Sequence, residues 1–161
     1  MKLRFFVLIL SLVSLNCVYS FRGFSGKESY DVFVEVFKNT SEKAGIESEV
    51  TRWVIDELEK DVRINLVSLG KAKYVIHATI SGYKTEPYEY RPDGTVLSYK
   101  VILMVYISIL DLSTNQRIVE EKVLSAWGVY ASSQNEDDGL KGASEDLGKK
   151  ILQEFLSAAL K

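Results

Sequence analysis

The residues best suited to chemistry stand near the start of the chain. The single cysteine, Cys17, follows residues 5–15, an uncharged apolar run (FFVLILSLVSL) that is itself preceded by Lys2 and Arg4. A basic start before such a run is typical of a secretory signal peptide, and the run is too short to span a membrane, which needs about 20 apolar residues. A lone cysteine in an exported chain cannot form an internal disulfide. Its position instead indicates that the thiol carries a lipid through a thioether bond.

Two cleavage sites are compatible with this region. Cleavage directly before Cys17, in the sequence SLNC, would make Cys17 the first residue of a lipidated protein, although Asn16 is larger than the residue usual at that place. Cleavage after Ser20, in the sequence VYS, would discard Cys17. We expect the first of the two. The chain then divides into a lipoprotein-type signal peptide (residues 1–16), a lipidated N-terminal lead (residues 17–29) and one folded domain (residues 30–161).

The sequence lacks the usual patterns of catalysis and metal binding. It has one histidine, His77, no second cysteine and no glycine-rich phosphate loop, so metal and nucleophile arrangements have too few members. Acids that are close in sequence, such as Glu86 with Glu89 and Glu120 with Glu121, have no accompanying base and nucleophile. We therefore predict no catalytic residue, no metal site and no cofactor, and we expect His77 at the surface.

The charge of the mature chain excludes one class of partner. Removing residues 1–16 takes away Lys2 and Arg4, which leaves 18 basic residues against 22 acidic ones and a net charge of −4. Proteins that bind nucleic acid generally present a basic surface, so we expect no nucleic-acid partner. An anionic ligand would need a local group of basic side chains. The remaining 145 residues are enough for one domain with a hydrophobic core.

Hydrophobic periodicity predicts the elements that must position any binding site. Apolar residues alternate, as in strands, over residues 30–37, 73–83, 96–110 and 117–130. They recur at helical spacing over residues 47–62 and 140–160, and residues 63–67 suggest a short additional strand. This order predicts an α+β fold, a two-layer sandwich in which a mostly antiparallel or mixed four-stranded sheet carries two helices on one face.

The second face of this sheet is the candidate contact surface. The strand at residues 96–110 is apolar at its odd positions from 97 to 109, so its even positions form the second face, where Ile102, Met104 and Tyr106 follow one another. The neighbouring strands would add His77, Thr79, Val119 and Val123. Such an apolar strip indicates a surface for a partner or a lipid. The alternative is ordinary half-exposed side chains, since more than half of a protein surface is apolar.

Short motifs follow one another in a recognisable order along the chain. A cysteine and a Tyr-x-Phe-Arg-Gly lead stand at Cys17 and residues 19–23, and a Phe-x-Asn strand end stands at residues 37–39. Four more motifs follow: a Gly-x-Glu helix start at residues 45–47 and an Ala-x-Tyr-Val strand at residues 72–75, then a Gly-Tyr strand end at residues 82–83 and a Tyr-Arg-x-x-Gly turn at residues 90–94. In this order and spacing, over nearly the whole mature chain, the sequence resembles the LptE family of lipopolysaccharide-assembly lipoproteins.

The resemblance implies a role in outer-membrane assembly. Members of the family are anchored by lipid at the periplasmic face of the outer membrane, plug the lumen of the LptD β-barrel and bind lipopolysaccharide. For this chain the resemblance implies a lipid anchor at Cys17 and a barrel contact through Ile102, Met104 and Tyr106.

The resemblance also implies a basic lipid-binding residue. Arg91 falls where the family carries an arginine that binds lipid A, and Lys84 and Lys100 are candidates to supplement it. An arginine on an ordered turn forms bidentate bonds to phosphate better than lysine does, whereas a solvated loop arginine is the other interpretation. A second basic position of the family falls near Ser132, which is uncharged here.

Another kind of anchored lipoprotein is the main alternative. Residues 72–82 and 109–114 also resemble segments of CsgG-type pore subunits and of activators of peptidoglycan synthases. A pore subunit would need further amphipathic segments to build its barrel, and the sequence has none of suitable length to spare. The Tyr-x-Phe-Arg-Gly lead and the Tyr-Arg-x-x-Gly turn favour LptE.

Overall fold

The computed structural model describes residues 29–160, so the predicted signal peptide and the lipidated lead with Cys17 lie outside the described residues. This part of the chain forms a six-stranded sheet, two long helices and a short 3-10 turn at Leu69–Lys71. The strands are β1 Tyr30–Val34, β2 Lys38–Asn39, β3 Ile64–Leu66, β4 Tyr74–Tyr90, β5 Val96–Asp111 and β6 Gln116–Ala131, and the helices are α1 Glu47–Leu58 and α2 Glu136–Ala159. Neither helix combines the length and apolar character that a membrane crossing requires.

The sheet mixes parallel and antiparallel pairing. Its strand order is β3-β1-β4-β5-β6, with β2 beside β4. Strand β1 runs parallel to both β3 and β4, whereas β4, β5 and β6 form an antiparallel meander. Both helices pack on one face of the sheet. This confirms the predicted α+β two-layer fold, with six strands in place of the four that were predicted.

The two additional strands have local causes. The predicted strand at residues 30–37 is interrupted, because the Phe37 N–H donates to Thr51 Oγ1 of α1 at 2.9 Å and not to a neighbouring strand. The chain then rejoins the sheet as β2, opposite Thr79 and Ile80. The segment at residues 63–67 pairs with β1 as the short strand β3.

The hydrophobic core lies between the helices and the inner face of the sheet. Strand β5 contributes five consecutive odd positions that are fully buried, Val101, Leu103, Val105, Ile107 and Ile109. Helix α2 contributes the predicted stripe of Leu140, Leu147, Ile151 and Phe155. The Phe155 ring packs edge to face against Tyr30 and Tyr74, with centroid distances of 5.2 and 5.1 Å. The core faces predicted from periodicity are therefore confirmed for α2 and for β5 from residue 101 onward, whereas Leu97 is exposed and Ser98 is buried in its place.

Capping and turn residues move the helix ends from their predicted positions. Helix α1 ends at Leu58, before residue 62, and the chain turns at Asp61, whose carboxylate accepts the Arg63 N–H at 2.9 Å. Helix α2 begins four residues early, at Glu136, because Asn135 caps it and three acidic residues occupy its first turn. Both features favour a helix N-terminus, since they satisfy a free N–H and complement the helix dipole.

A β-bulge in β6 overturns one placement. Val119 was expected on the second face of the sheet together with Val123, but Val119 is buried in the core whereas Val123 is exposed. Ile107 pairs with Lys122 and Ile109 pairs with Val119, so β6 contains one residue more than β5 over this stretch. The extra residue reverses the alternation of side chains on either side of it.

Helix α2 approaches β6 closely enough for the two backbones to touch. A Cβ atom at Gly128 of β6 would lie 2.3 Å from the Gly139 carbonyl oxygen and 2.4 Å from the Ala143 nitrogen. A Cβ atom at Gly148 would lie 2.8 Å from Cβ of Glu57 on α1. Glycine is therefore required at the contact between helix and sheet and at the contact between the two helices.

Polar side chains of α2 also cover the free edge of β6. The Trp127 N–H donates to Asp146 Oδ2 at 3.1 Å, and the Lys150 ammonium donates to the Ser125 carbonyl at 2.7 Å. Asp146 and Lys150 are themselves paired at 2.7 Å. Backbone groups at the edge of a sheet that would otherwise be open to another strand are thereby occupied.

The glycine contact predicts the effect of one methyl group. Gly128→Ala should lower the free energy of unfolding by about 1–3 kcal/mol, because overpacking forces the backbones apart. Urea denaturation followed by circular dichroism measures the change. Gly70→Ala is the matched control, since a Cβ atom at Gly70 meets nothing within 4 Å, and its stability should stay within about 0.5 kcal/mol of the parent. Equal stability of Gly128→Ala and the parent would contradict the close contact.

Candidate functional site

The face of the sheet opposite the helices, here called the outer face, carries an exposed apolar strip. We define the strip as Ile102, Met104 and Tyr106 of β5 with Val123, Trp127 and Val129 of β6. Met104, Tyr106 and Trp127 are 48%, 47% and 48% exposed, respectively, and Ile102 is half-buried. Within the described residues, no element of the chain covers this strip. Contiguous apolar surface of this kind marks contact sites more often than chance.

Strand register brings the strip together. Ile102 lies opposite Trp127, and Tyr106 lies opposite Val123. On the other side of β5, Met104 lies opposite Gly82, and a Cβ atom at Gly82 would come within 3.3 Å of Met104 Cβ. The Met104 side chain therefore occupies space that any other residue at position 82 would fill.

Two lysines and one glutamate border the strip at the end near the β4–β5 turn. The Lys84 ammonium lies 2.5 Å from one carboxylate oxygen of Glu86, and the Lys100 ammonium lies 3.6 Å from the other. The hydrogen bond from Lys84 and its positive charge, with a smaller contribution from Lys100, lower the pKa of Glu86. The three side chains together carry one net positive charge.

Lys100 is held in place by aromatic rings as well. Its ammonium lies 5.4 Å from the centre of the Tyr88 ring and 5.8 Å from the centre of the Trp127 ring. These distances are within the range of cation–π attraction. The two rings are 6.2 Å apart, so Tyr88 of β4 and Trp127 of β6 flank a lysine of the strand between them.

Arg91 stands apart from the lysines, in the turn between β4 and β5. It is exposed, and its Nη1 donates to Thr95 Oγ1 at 3.3 Å and to the Val96 carbonyl at 3.2 Å. Gly94, at φ 84°, allows the tight turn, and Asp93 accepts two hydrogen bonds from Thr95. Five residues separate Arg91 from Glu86 along the hairpin, on the order of 16 Å. The structure thus brings Lys84 and Lys100 together and leaves Arg91 at the tip.

The base of this hairpin is attached to the start of α2 through Glu136. The Tyr83 hydroxyl donates to Glu136 Oε1, the Thr85 hydroxyl donates to the same oxygen at 3.2 Å, and the Lys43 ammonium lies 3.5 Å from it. The hydrogen bond from Tyr83, helped by Thr85 and Lys43, lowers the pKa of Glu136. Burial, and then the bond to Glu136, raises the pKa of Tyr83. These contacts fix the direction in which the hairpin leaves the domain.

Sequence reasoning named Lys84, Lys100 and Arg91 but missed the partners that hold them. Glu86 was treated only as an acid close to Glu89 in sequence. The contact between Tyr88 and Lys100 could not be predicted, because the register shifts beside Tyr88 determine on which face of the sheet its side chain lies. Among residues 29–160, histidine and acidic side chains nowhere gather in a group of three that could hold a metal ion.

Comparison with known proteins identifies the family and the fold. The family model described as "LptE: Lipopolysaccharide-assembly" matches residues 31–155. No curated protein matches the sequence. The fold is similar to that of the hypothetical protein CT253 from Chlamydia trachomatis, with a TM-score of 0.58 and 15% identity over 83% of this chain and 100% of that one. It is also similar to PelC, a dodecamer from Paraburkholderia phytofirmans, with a TM-score of 0.51 and 15% identity over 78% and 88% of the two chains. At these identities the two likenesses show the fold alone.

The Glu136 contacts predict a dependence of stability on pH. Because the folded state lowers the pKa of Glu136 below its ordinary value of 4.5, the carboxylate stabilises the fold above about pH 4.5, and this contribution is lost as the pH falls through the folded pKa. Glu136→Gln should therefore reduce the free energy of unfolding by about 1 kcal/mol at pH 7 and weaken its acid dependence. Urea denaturation at pH 7 and at pH 3.5 measures both effects. Glu42→Gln, an exposed acid outside both helices, is the control, and an unchanged acid dependence in Glu136→Gln would contradict the assignment.

Proposed function

The chain belongs to the LptE family of lipopolysaccharide-assembly proteins, and from that premise we propose that it is an outer-membrane lipoprotein that binds lipopolysaccharide and plugs an LptD-type β-barrel. In this proposal acyl groups on Cys17 hold the protein at the periplasmic face of the outer membrane. The outer face of the sheet contacts the barrel wall, and the basic end of the β4–β5 hairpin contacts the lipid. Binding and assembly account for the whole role, and no catalytic step is needed.

The observation that carries the proposal is the apolar strip on the outer face. Ile102, Met104 and Tyr106 are presented by one long strand whose opposite side is fully buried, so the strip is part of a rigid sheet. A rigid backbone loses little conformational entropy when a partner covers it. A barrel wall is itself a sheet whose side chains alternate between the lumen and the outside, so a sheet face can pack against its lumen side.

The basic side chains support the lipid contact. Lys84 and Lys100 border the apolar strip at its hairpin end, so they would bind an anionic group of the lipid beside the barrel contact. Arg91, on its ordered turn, adds a planar guanidinium that suits the bidentate recognition of phosphate. The distance between the tip and the lysine pair suits a ligand with more than one anionic group.

The lipid anchor would make the location permanent. Each methylene group buried in the membrane contributes about 0.8 kcal/mol, and more than one acyl chain is needed for stable attachment. A triacylated Cys17 meets that requirement, so the folded domain would stay within reach of an outer-membrane barrel.

Co-purification tests the barrel contact. The full chain, tagged at its C-terminus, should recover an LptD-type barrel in stoichiometric amount from detergent-solubilised outer membranes. Met104→Asp places a charge in the centre of the strip and should reduce that recovery at least about tenfold, since a buried unpaired charge costs several kcal/mol. Val62→Asp is the control, because Val62 is 81% exposed and lies away from the sheet face.

The same experiment separates the alternatives. Recovery of a CsgG-type pore or a peptidoglycan synthase in place of the barrel would favour the other kinds of anchored lipoprotein. Barrel recovery that Met104→Asp does not change would remove the outer face from the contact.

Binding of the full chain to lipopolysaccharide tests the basic site. Arg91→Asp should weaken binding about tenfold or more, because a charge-assisted hydrogen bond is worth about 1.5–3 kcal/mol. The remaining binding should depend less on salt, since one contact between charges has been removed. The double change Lys84→Gln with Lys100→Gln should act in the same direction.

The control for these variants is Arg52→Asp, which changes charge equally on the exposed side of α1. It should bind lipopolysaccharide as the parent does at physiological salt. Unchanged binding by Arg91→Asp would remove Arg91 from the site, and an equal loss in Arg52→Asp would show that only total charge matters.

A further inference from the structure

At the end of the outer face away from the hairpin, a polar groove crosses the strands. It joins two depressions of about 280 and 470 Å³ that share His77, Thr79, Ser108 and Glu121. The groove extends from β1 and β2 over β4 and β5 to β6, a width of three strand spacings, or about 14 Å. The Tyr106 ring borders it on the side of the apolar strip.

Two breaks in regular strand geometry form the ends of the groove. At one end the interruption between β1 and β2 leaves Glu35 and Lys38 at the rim. At the other end the bulge in β6 places Glu121 at φ 39°, a conformation that residues other than glycine seldom adopt. The Glu121 N–H is not paired in the sheet there and donates to Ser108 Oγ at 3.2 Å. Strained backbone of this kind is concentrated at functional sites.

The side chain of His77 is oriented within the groove. Its Nδ1 lies 2.5 Å from Glu35 Oε2, and His77 lies directly opposite Ser108 on β5. With Nδ1 engaged by Glu35, Nε2 is left to face a ligand. This partner could not be read from the sequence, because Glu35 is 42 residues away from His77.

The charges of the groove balance. Glu35 and Lys38 stand at one end and Glu121 and Arg117 at the other, with the hydroxyl groups of Thr79 and Ser108 between them. A site with this composition favours a ligand that carries no net charge. It offers both donors and acceptors at each end, which suits groups that donate and accept hydrogen bonds at once, as hydroxyl groups do.

We propose that this groove binds a neutral oligosaccharide. The polar side chains would bind hydroxyl groups across the strands, and the exposed Tyr106 ring would pack against the C–H face of a sugar ring through dispersion. The groove is about eight residues along β5 from Lys100, on the order of 26 Å. It is therefore a separate site from the basic end of the sheet. Because Tyr106 also belongs to the apolar strip, a glycan on its ring would compete with a barrel for that side chain, and glycan binding is therefore tested without a barrel present.

Saturation-transfer difference NMR of the full chain in detergent micelles tests the proposal. The probes are chitotetraose and maltotetraose, which lack phosphate and acyl chains and so cannot report the lipid site. An amino-sugar chain such as the first is typical of cell-wall glycan, and a hexose chain such as the second is typical of surface polysaccharide. We expect saturable transfer to the ring protons of at least one of them, and the preferred probe indicates the source of the ligand.

Two variants locate the binding. Glu121→Gly removes the carboxylate and keeps the bulge, because glycine adopts positive φ without strain, and Tyr106→Ala removes the aromatic platform. Each should weaken binding of the preferred glycan at least about tenfold, which corresponds to a few hydrogen bonds or one packed ring. Arg52→Asp, on the exposed side of α1 and outside every proposed contact, should leave it unchanged. Absence of transfer to both glycans, or equal binding by the parent and both groove variants, would overturn the proposal.

Discussion

The close contact between α2 and β6 is the constraint from which the rest of the structure follows. Gly128 of β6 meets the α2 backbone at Gly139 and Ala143, and Gly148 of α2 meets α1, so both helices are held against a single face of the sheet. Leucine, isoleucine and phenylalanine side chains then fill the space between the layers and exclude water. Both helices lie on this face, and residues 29–160 contain no further element that covers the opposite face of the sheet. An uncovered outer face is thus a consequence of how the core is built.

That outer face is organised along its length. Lysines and the arginine turn lie at the hairpin end, apolar side chains lie in the middle, and a charge-balanced polar groove lies at the far end. The lysines, the apolar strip and the centre of the groove lie on the same three long strands, so their spacing is set by strand rise and register. Glu136 adds one further constraint, because it ties the base of the projecting hairpin to α2 through Tyr83 and Thr85. A ligand at one end and a partner in the middle would therefore meet a single rigid template.

The sequence predicted what depends on local alternation and missed what depends on distant contacts. The buried odd positions of β5, the apolar stripe of α2 and the outward direction of Met104 and Tyr106 follow from periods of 2 and 3.6 residues. Val119 was misplaced because a bulge shifts the period by one residue, and β2 was missed because Thr51 captures the Phe37 N–H. Glu86 contacts Lys100, and Glu35 contacts His77, because segments distant in sequence are brought together by strand pairing. Periodicity along a single strand carries no information about them.

The polar covering of the β6 edge has a consequence for how the protein can assemble. Asp146 and Lys150 occupy backbone groups that an added strand would need, and the opposite edge of the sheet, β3, is only three residues long. Edge-to-edge pairing is therefore disfavoured where α2 covers β6 and along the short strand β3. A partner that binds through side chains of the outer face needs no unpaired edge of the sheet. Such a complex can separate without breaking a shared sheet.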